Sequence, residues 1–149
     1  MKKIGMRNIK TAIAVVLALG ISRLMKTEYP FYSAIAAIIS MQSSIIESFR
    51  VGKNRMLGTI VGAAVGLIFF LISPGNLILS GIGIVVVIYI CDSLGWNKAV
   101  SIACIVFCVI MTNLSGRNPF FYSISRILDT FIGIIIAVAV NYIIKPPNN

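Results

Sequence analysis

Two arginines stand at the head of one short pattern that occurs twice. Arg55-Met56-Leu57-Gly58-Thr59-Ile60-Val61-Gly62 and Arg126-Ile127-Leu128-Asp129-Thr130-Phe131-Ile132-Gly133 agree at Arg, Leu, Thr and Gly, 71 positions apart. A guanidinium is always charged, and its planar fork of donors fits a carboxylate through two parallel hydrogen bonds, where lysine offers a point charge. Read from the sequence, each arginine opens a helix, whose N-terminus is itself electropositive. The chemistry these residues suit is the holding of an anion.

Other polar groups gather near them. Gln42 and Ser43 follow the apolar run from Ala34 to Ile39, where they could donate to a carboxylate or bridge helices. Glu47 and Arg50, three apart, are expected to pair. Lys53 extends the basic cluster, either as a solvated anchor or as a contact for an anion. Asp129 takes the place of Gly58 in the second copy, and either pairs locally with Arg126 or exchanges protons. With Glu47 it is the candidate for proton coupling. Asn113 and Asn141 could each supply a hydrogen bond inside a bundle.

Histidine is absent, which removes His-based metal sites and the usual Ser-His or Cys-His nucleophile pairs. Cys91, Cys104 and Cys108 form no CxxC set and read as small packing residues. Neither an enzyme, nor a metal site, nor a cofactor is expected.

The elements that must position these groups are membrane helices. Of 149 residues, 58% are hydrophobic and 11% charged. Mean hydropathy is +0.99, more apolar than a water-soluble domain needs. Charge-free runs cover 11–22, 29–46, 56–91, 99–116 and 130–144. A crossing takes roughly 20 apolar residues, so 56–91 holds two, divided at Ser73-Pro74-Gly75-Asn76, a turn signal. The predicted helices are 8–25, 29–46, 55–72, 77–93, 98–115 and 126–144. The fold class is all-α: an integral membrane bundle of about six transmembrane helices, in one domain over 1–149.

The shift of 71 also carries the second predicted helix onto the fifth and the first roughly onto the fourth. The chain therefore reads as two units of three helices, about 8–72 and 77–144. An odd number per unit inverts the second, and 3+3 inverted repeats are a common plan of transporters. Gly58, Gly62 and Gly66 give the third helix a face for close packing, within the subunit or between subunits.

The formal charge of +9 would suggest nucleic acid in a soluble protein. Here the bases sit at predicted helix ends, where lipid phosphate is the partner. With the N-terminus in the cytoplasm, Lys2, Lys3, Arg7, Lys10, Arg50, Lys53, Arg55, Lys98 and Lys145 lie inside, and Arg23, Lys26, Arg117 and Arg126 outside. Both termini are expected in the cytoplasm, and Arg55 and Arg126 at opposite mouths of one pathway. The first segment is expected to be kept as a helix rather than cleaved as a signal peptide.

The stretch Glu28-Tyr29-Pro30-Phe31-Tyr32-Ser33-Ala34-Ile35-Ala36-Ala37-Ile38-Ile39-Ser40-Met41-Gln42, then Glu47-Ser48-Phe49-Arg50 and Lys53-Asn54-Arg55-Met56-Leu57-Gly58-Thr59, resembles the membrane domain of the aromatic acid exporter family. That family belongs with the fusaric-acid-resistance-like proteins and is distantly similar to plant aluminium-activated malate transporters. The resemblance implies a six-helix module that moves organic anions, typically aromatic carboxylates, outward across a bacterial inner membrane, with the arginine-led elements as anion contacts. Many relatives continue into a soluble domain, whereas this sequence ends at Lys145-Pro146-Pro147-Asn148-Asn149, so no soluble C-terminal domain is expected.

The leading expectation is a multi-pass exporter in the bacterial plasma membrane, working as a homo-oligomer on small organic anions. Arg55, Arg126, Gln42 and Lys53 are its substrate contacts. The alternatives are a passive anion channel and a non-transporting scaffold that binds membrane lipids.

Overall fold

The computed structural model describes residues 4–112, 116 and 118–144. Lys2, Lys3, Asn113, Arg117 and the tail from Lys145 onward lie outside the described residues. The described residues form α1 (Met6–Leu24), α2 (Pro30–Ser40), α3 (Ile45–Ile72), α4 (Leu77–Ser93), α5 (Val100–Thr112) and α6 (Pro119–Ile143), with a 3₁₀ turn at Asn97–Ala99 and no strand.

Three helices begin at polar caps. The Ser44 hydroxyl accepts from the Glu47 amide at 3.2 Å, starting α3. Asn76 accepts from the amides of Ile78 and Leu79 at 3.0 and 3.1 Å, starting α4. Asn118 accepts from the Phe120 amide at 3.0 Å, with Pro119 in the first turn of α6. Each cap meets donors that a helix start leaves open.

Two helices end alike. After α1, Thr27 N–H donates to Ser22 O and Lys26 N–H to Arg23 O, with Lys26 at φ 53°. After α4, Trp96 N–H donates to Cys91 O and Gly95 N–H to Asp92 O, with Gly95 at φ 73°. Both are Schellman closures, which need a left-handed residue that glycine adopts without strain and lysine does not.

These boundaries change the predicted ones where it matters. The second helix stops at Ser40 rather than 46, and the charged stretch from Glu47 to Arg55 lies inside α3 instead of ahead of it. Likewise α6 begins seven residues before Arg126. Among the described residues there are six helices, of which only α3 (28 residues) and α6 (25) are long and apolar enough to cross a membrane. At 11 residues α2 spans about 17 Å, short of the roughly 30 Å of hydrocarbon.

Two compact units divide the chain, one made of 1–53 and 128–149, the other of 54–127. The first has its core where Ala14 and Ala18 of α1 meet Ala37 and Met41 at the end of α2 and Ile136, Ala137 and Val140 of α6. The second has its core where Val61 and Val65 of α3 meet Val87 and Cys91 of α4 and Ala103, Phe107 and Met111 of α5. Large apolar side chains also point outward in many places, among them Val16, Leu71, Ile78, Val85, Phe121 and Ile143. Water penalises such a surface and lipid does not.

Candidate functional site

In the second unit Arg55 and Arg126 are both buried, with 5% and 4% of their surface exposed. The positive charge of Arg126 acts directly on Arg55. This corrects the expectation on two points. Arg55 is the eleventh residue of α3 and Arg126 the eighth of α6, so neither stands at a helix start. The two lie in a single unit, within range of one another's charge, rather than at opposite mouths. Thr59 returns its hydroxyl to the Arg55 carbonyl at 2.9 Å, and Arg55 Nε has no hydrogen-bond partner among the described residues.

Moving a charged side chain out of water costs several kcal/mol unless an opposite charge compensates, and an arginine cannot shed its proton to escape. Of the four acidic residues, Glu28, Glu47 and Asp92 are exposed and only Asp129 is buried. Three cations are buried, Lys10 in the first unit with Asp129 and Arg55 and Arg126 in the second. Among the described residues the buried charges of the second unit are therefore both positive, a composition that suits an anion.

Asp129 and Thr130, each 1% exposed, belong to the first unit. Asp129 follows Arg126 by one turn along α6 and has a partner of its own. Glu47 is exposed, and its carboxylate accepts from Ser43 Oγ at 3.3 Å rather than pairing with Arg50. Lys53 is exposed. The Gln42 side chain donates to Ile39 O at 2.9 Å and so helps to end α2.

The sequence reading missed a second polar cluster, in the first unit. Lys10, expected at the lipid surface, is 5% exposed, and its Nζ donates to Asn141 Oδ1 at 3.0 Å. Asn141 Nδ2 donates to Gln42 O at 3.0 Å and to Ser48 Oγ at 2.9 Å. Ser48 Oγ also accepts from Gln42 N–H at 2.9 Å. The available signal was a periodic one: Lys10, Ala14, Ala18 and Ser22 recur every four residues and are the buried face of α1.

Glycines bring backbones together in both units. On α3, Gly58 faces Ala99 O, Gly62 faces Ala103 O and Val106, and Gly66 faces Ile110. On α6, Gly133 faces Ser33 O and Ala36 of α2. A side chain at Gly58, Gly62 or Gly133 would overlap the opposite carbonyl.

Each unit also has an apolar groove between α3 and α6. In the first it holds about 410 Å³ and is lined by Phe49, Phe131, Ile134, Ile135 and Val138 among others. In the second it holds about 190 Å³, lined by Phe120, Ile60, Ala63, Ala64 and Leu67 among others. The five positions of one groove are those of the other at the repeat distance of 71.

Long apolar helices and outward apolar side chains are together the marks of a helical membrane protein. The chain belongs to the aromatic acid exporter family: the family model described as "Aromatic acid exporter family member 1" matches residues 2–144. It is 30% identical over 145 residues to the UPF0421 protein YgaE of Bacillus subtilis, covering 97% of this chain and 41% of that protein. A UPF0421 protein of Staphylococcus saprophyticus is 28% identical over 147 residues, covering 98% and 44%. Another from Oceanobacillus iheyensis is 28% identical over 145 residues, covering 97% and 41%. The chain thus spans less than half the length of these relatives. No solved structure matches it.

Proposed function

We propose that the chain exports organic anions, aromatic carboxylic acids foremost, across the bacterial plasma membrane, with Arg55 and Arg126 seating the carboxylate. The observation that carries this reading is the pair of buried arginines acting on one another in a single unit. A carboxylate between two guanidiniums relieves their repulsion and receives charge-assisted hydrogen bonds. Thr59 and Thr130, equivalent in the repeat, flank the arginine-led turns, and the apolar grooves offer space for a ring. Lys53 and Gln42 are further substrate contacts in this reading, Lys53 as an exposed attracting charge. Nothing in this scheme breaks a covalent bond or calls for a cofactor.

Several likenesses support a 3+3 inverted repeat as the working architecture. The glycine of the repeated element packs α3 on α5 and α6 on α2, so the third helix of each repeat meets the second helix of the other. The first helix of each repeat ends in the same Schellman closure. Five of the eight positions lining each groove coincide at the repeat distance. Such exchanged packing is in keeping with the inverted repeats of transporters. In this reading the protein is multi-pass with both termini cytoplasmic, and it works as a homo-oligomer.

Asp129 is the leading candidate for proton coupling, being the one buried carboxylate and one turn from Arg126. Protonation would free Arg126 to take the substrate, and release of the proton would return the competition. Glu47 is the second candidate, outside the core at the start of α3.

The test is efflux of labelled hydroxybenzoate from liposomes holding the purified chain and its Arg55 variants. Arg55→Ala should abolish movement while the protein still inserts, and Arg55→Lys should lower it about 10-fold or more, because lysine cannot make the bidentate bond. Normal export by Arg55→Ala would remove Arg55 from the mechanism. Indifference to Arg→Lys at both 55 and 126 would favour a lipid-binding scaffold, for which charge alone is enough.

A further inference from the structure

The cluster around Lys10 is not explained by the arginine pair, because it lies in the other unit. Hydrogen-bond accounting defines its character. An ammonium has only donors, so Asn141 must turn Oδ1 toward Lys10 and Nδ2 away from it. Both Nδ2 protons are then used, on Gln42 O and Ser48 Oγ. Ser48 Oγ accepts two bonds, from Gln42 N and Asn141 Nδ2, which leaves its own O–H proton with no acceptor among the described residues. Lys10 uses one of its three protons, on Asn141.

Three donors and a full positive charge, linked through the two ends of the Asn141 amide, thus have no acceptor among the described residues. Ser48 is fully buried and Asn141 nearly so, so water does not readily supply what is missing. The carbonyl end of α6 is close, since Asn141 lies in its last turn. A helix terminus carries roughly half an elementary charge, which does not neutralise an ammonium.

We propose that Lys10, Ser48 and Asn141 form a second oxyanion seat, distinct from the arginine pair. Lys10 supplies the charge and two N–H donors, Ser48 supplies the O–H, and Asn141 holds Lys10 in place. The seat lies where α1 begins, α6 ends and the α2–α3 link passes, so its occupant is either the carboxylate of the transported acid or the phosphate of an anionic lipid. The carboxylate alternative rests on the exporter reading; the seat itself does not.

The experiment measures equilibrium binding of labelled benzoate to the purified full chain in phosphatidylcholine nanodiscs, with thermal unfolding in parallel. Lys10→Gln should weaken one class of benzoate site at least 10-fold and remove the part of benzoate's thermal stabilisation that depends on it. Lys10→Arg should keep both, and Lys10→Met tests the same loss with a different fold risk. Arg55→Ala should leave the Lys10-dependent site intact, which separates failure of this seat from failure of the exporter reading. Repeating the titration with phosphatidylglycerol in the discs identifies the source: competition at the Lys10-dependent site assigns it to lipid phosphate, and its absence assigns it to the acid. Benzoate and phosphatidylglycerol binding unchanged in Lys10→Gln and Lys10→Met, with both folded, would overturn the proposal and reduce Lys10 to a tether.

Discussion

Gly62→Ala isolates the close packing of α3 on α5. A Cβ at Gly62 would overlap the carbonyl oxygen of Ala103 and stand 3.0 Å from Val106 Cβ. The obstacle is backbone inside a helix, so the neighbour cannot yield by a rotamer change. Overpacking of this kind costs about 1–3 kcal/mol, and a rigid obstacle puts it at the upper end. Alanine regains about 1 kcal/mol of helix preference over glycine, so the net loss is about 2 kcal/mol. Gly81 on α4 is the control, because a Cβ there meets nothing within 4 Å. Gly81→Ala should stabilise by up to about 1 kcal/mol, a difference of about 3 kcal/mol between two chemically identical changes. A fluorogenic thiol reagent follows unfolding through buried Cys91, with Cys104 replaced by alanine and exposed Cys108 by serine. A Gly62→Ala protein that melts at or above the parent, or a Gly81→Ala protein that falls with it, would refute the packing.

Three further outcomes follow from other parts of the fold. Asn76→Ala should destabilise by about 1 kcal/mol, and Asn76→Asp should not, because the cap on Ile78 and Leu79 needs a side-chain acceptor; thermal melts decide it. Asp129→Asn should leave hydroxybenzoate movement down its own gradient and lose its response to an imposed pH gradient, whereas retention of that response would take coupling away from Asp129. In detergent, maleimide should modify Cys108 in the folded protein and spare Cys91 until it unfolds, as mass spectrometry of the native sample would read.

Much of the scaffold could be read from residue types. Ser73-Pro74-Gly75-Asn76 sits between α3 and α4, with Gly75 at φ 70° and Asn76 as the cap. Six helices were legible because each charge-free run has helix length. The starts of α3 and α6 were misread for one shared reason: charges in a membrane segment are costly, so Glu47, Arg50 and Lys53 looked like a boundary. The residues that start these helices are local and were visible. Ser44-Ile45-Ile46-Glu47 has the spacing of a capping box, and Asn118-Pro119 puts a cap before the favoured first-turn proline.

Moving those starts moved the site. Once Arg55 and Arg126 lie inside helices, the electropositive helix end no longer explains them, and burial beside one another does. That pairing depends on how α3 and α6 meet within the second unit, which no local pattern encodes. Its sign alone sends Lys10 to the lipid surface. The four-residue spacing that it shares with Ala14, Ala18 and Ser22 points instead to the buried face of α1, where it lies.

The most direct test of an anion exporter built on Arg55 and Arg126 is movement of labelled hydroxybenzoate in liposomes of the purified chain, with and without an imposed pH gradient. An exporter moves the acid against its own gradient when the pH gradient drives it, loses that movement to a protonophore, and loses it in Arg55→Ala. Current-carrying movement indifferent to the gradient would make the protein a channel. No movement of any aromatic carboxylate by the folded chain would contradict the account.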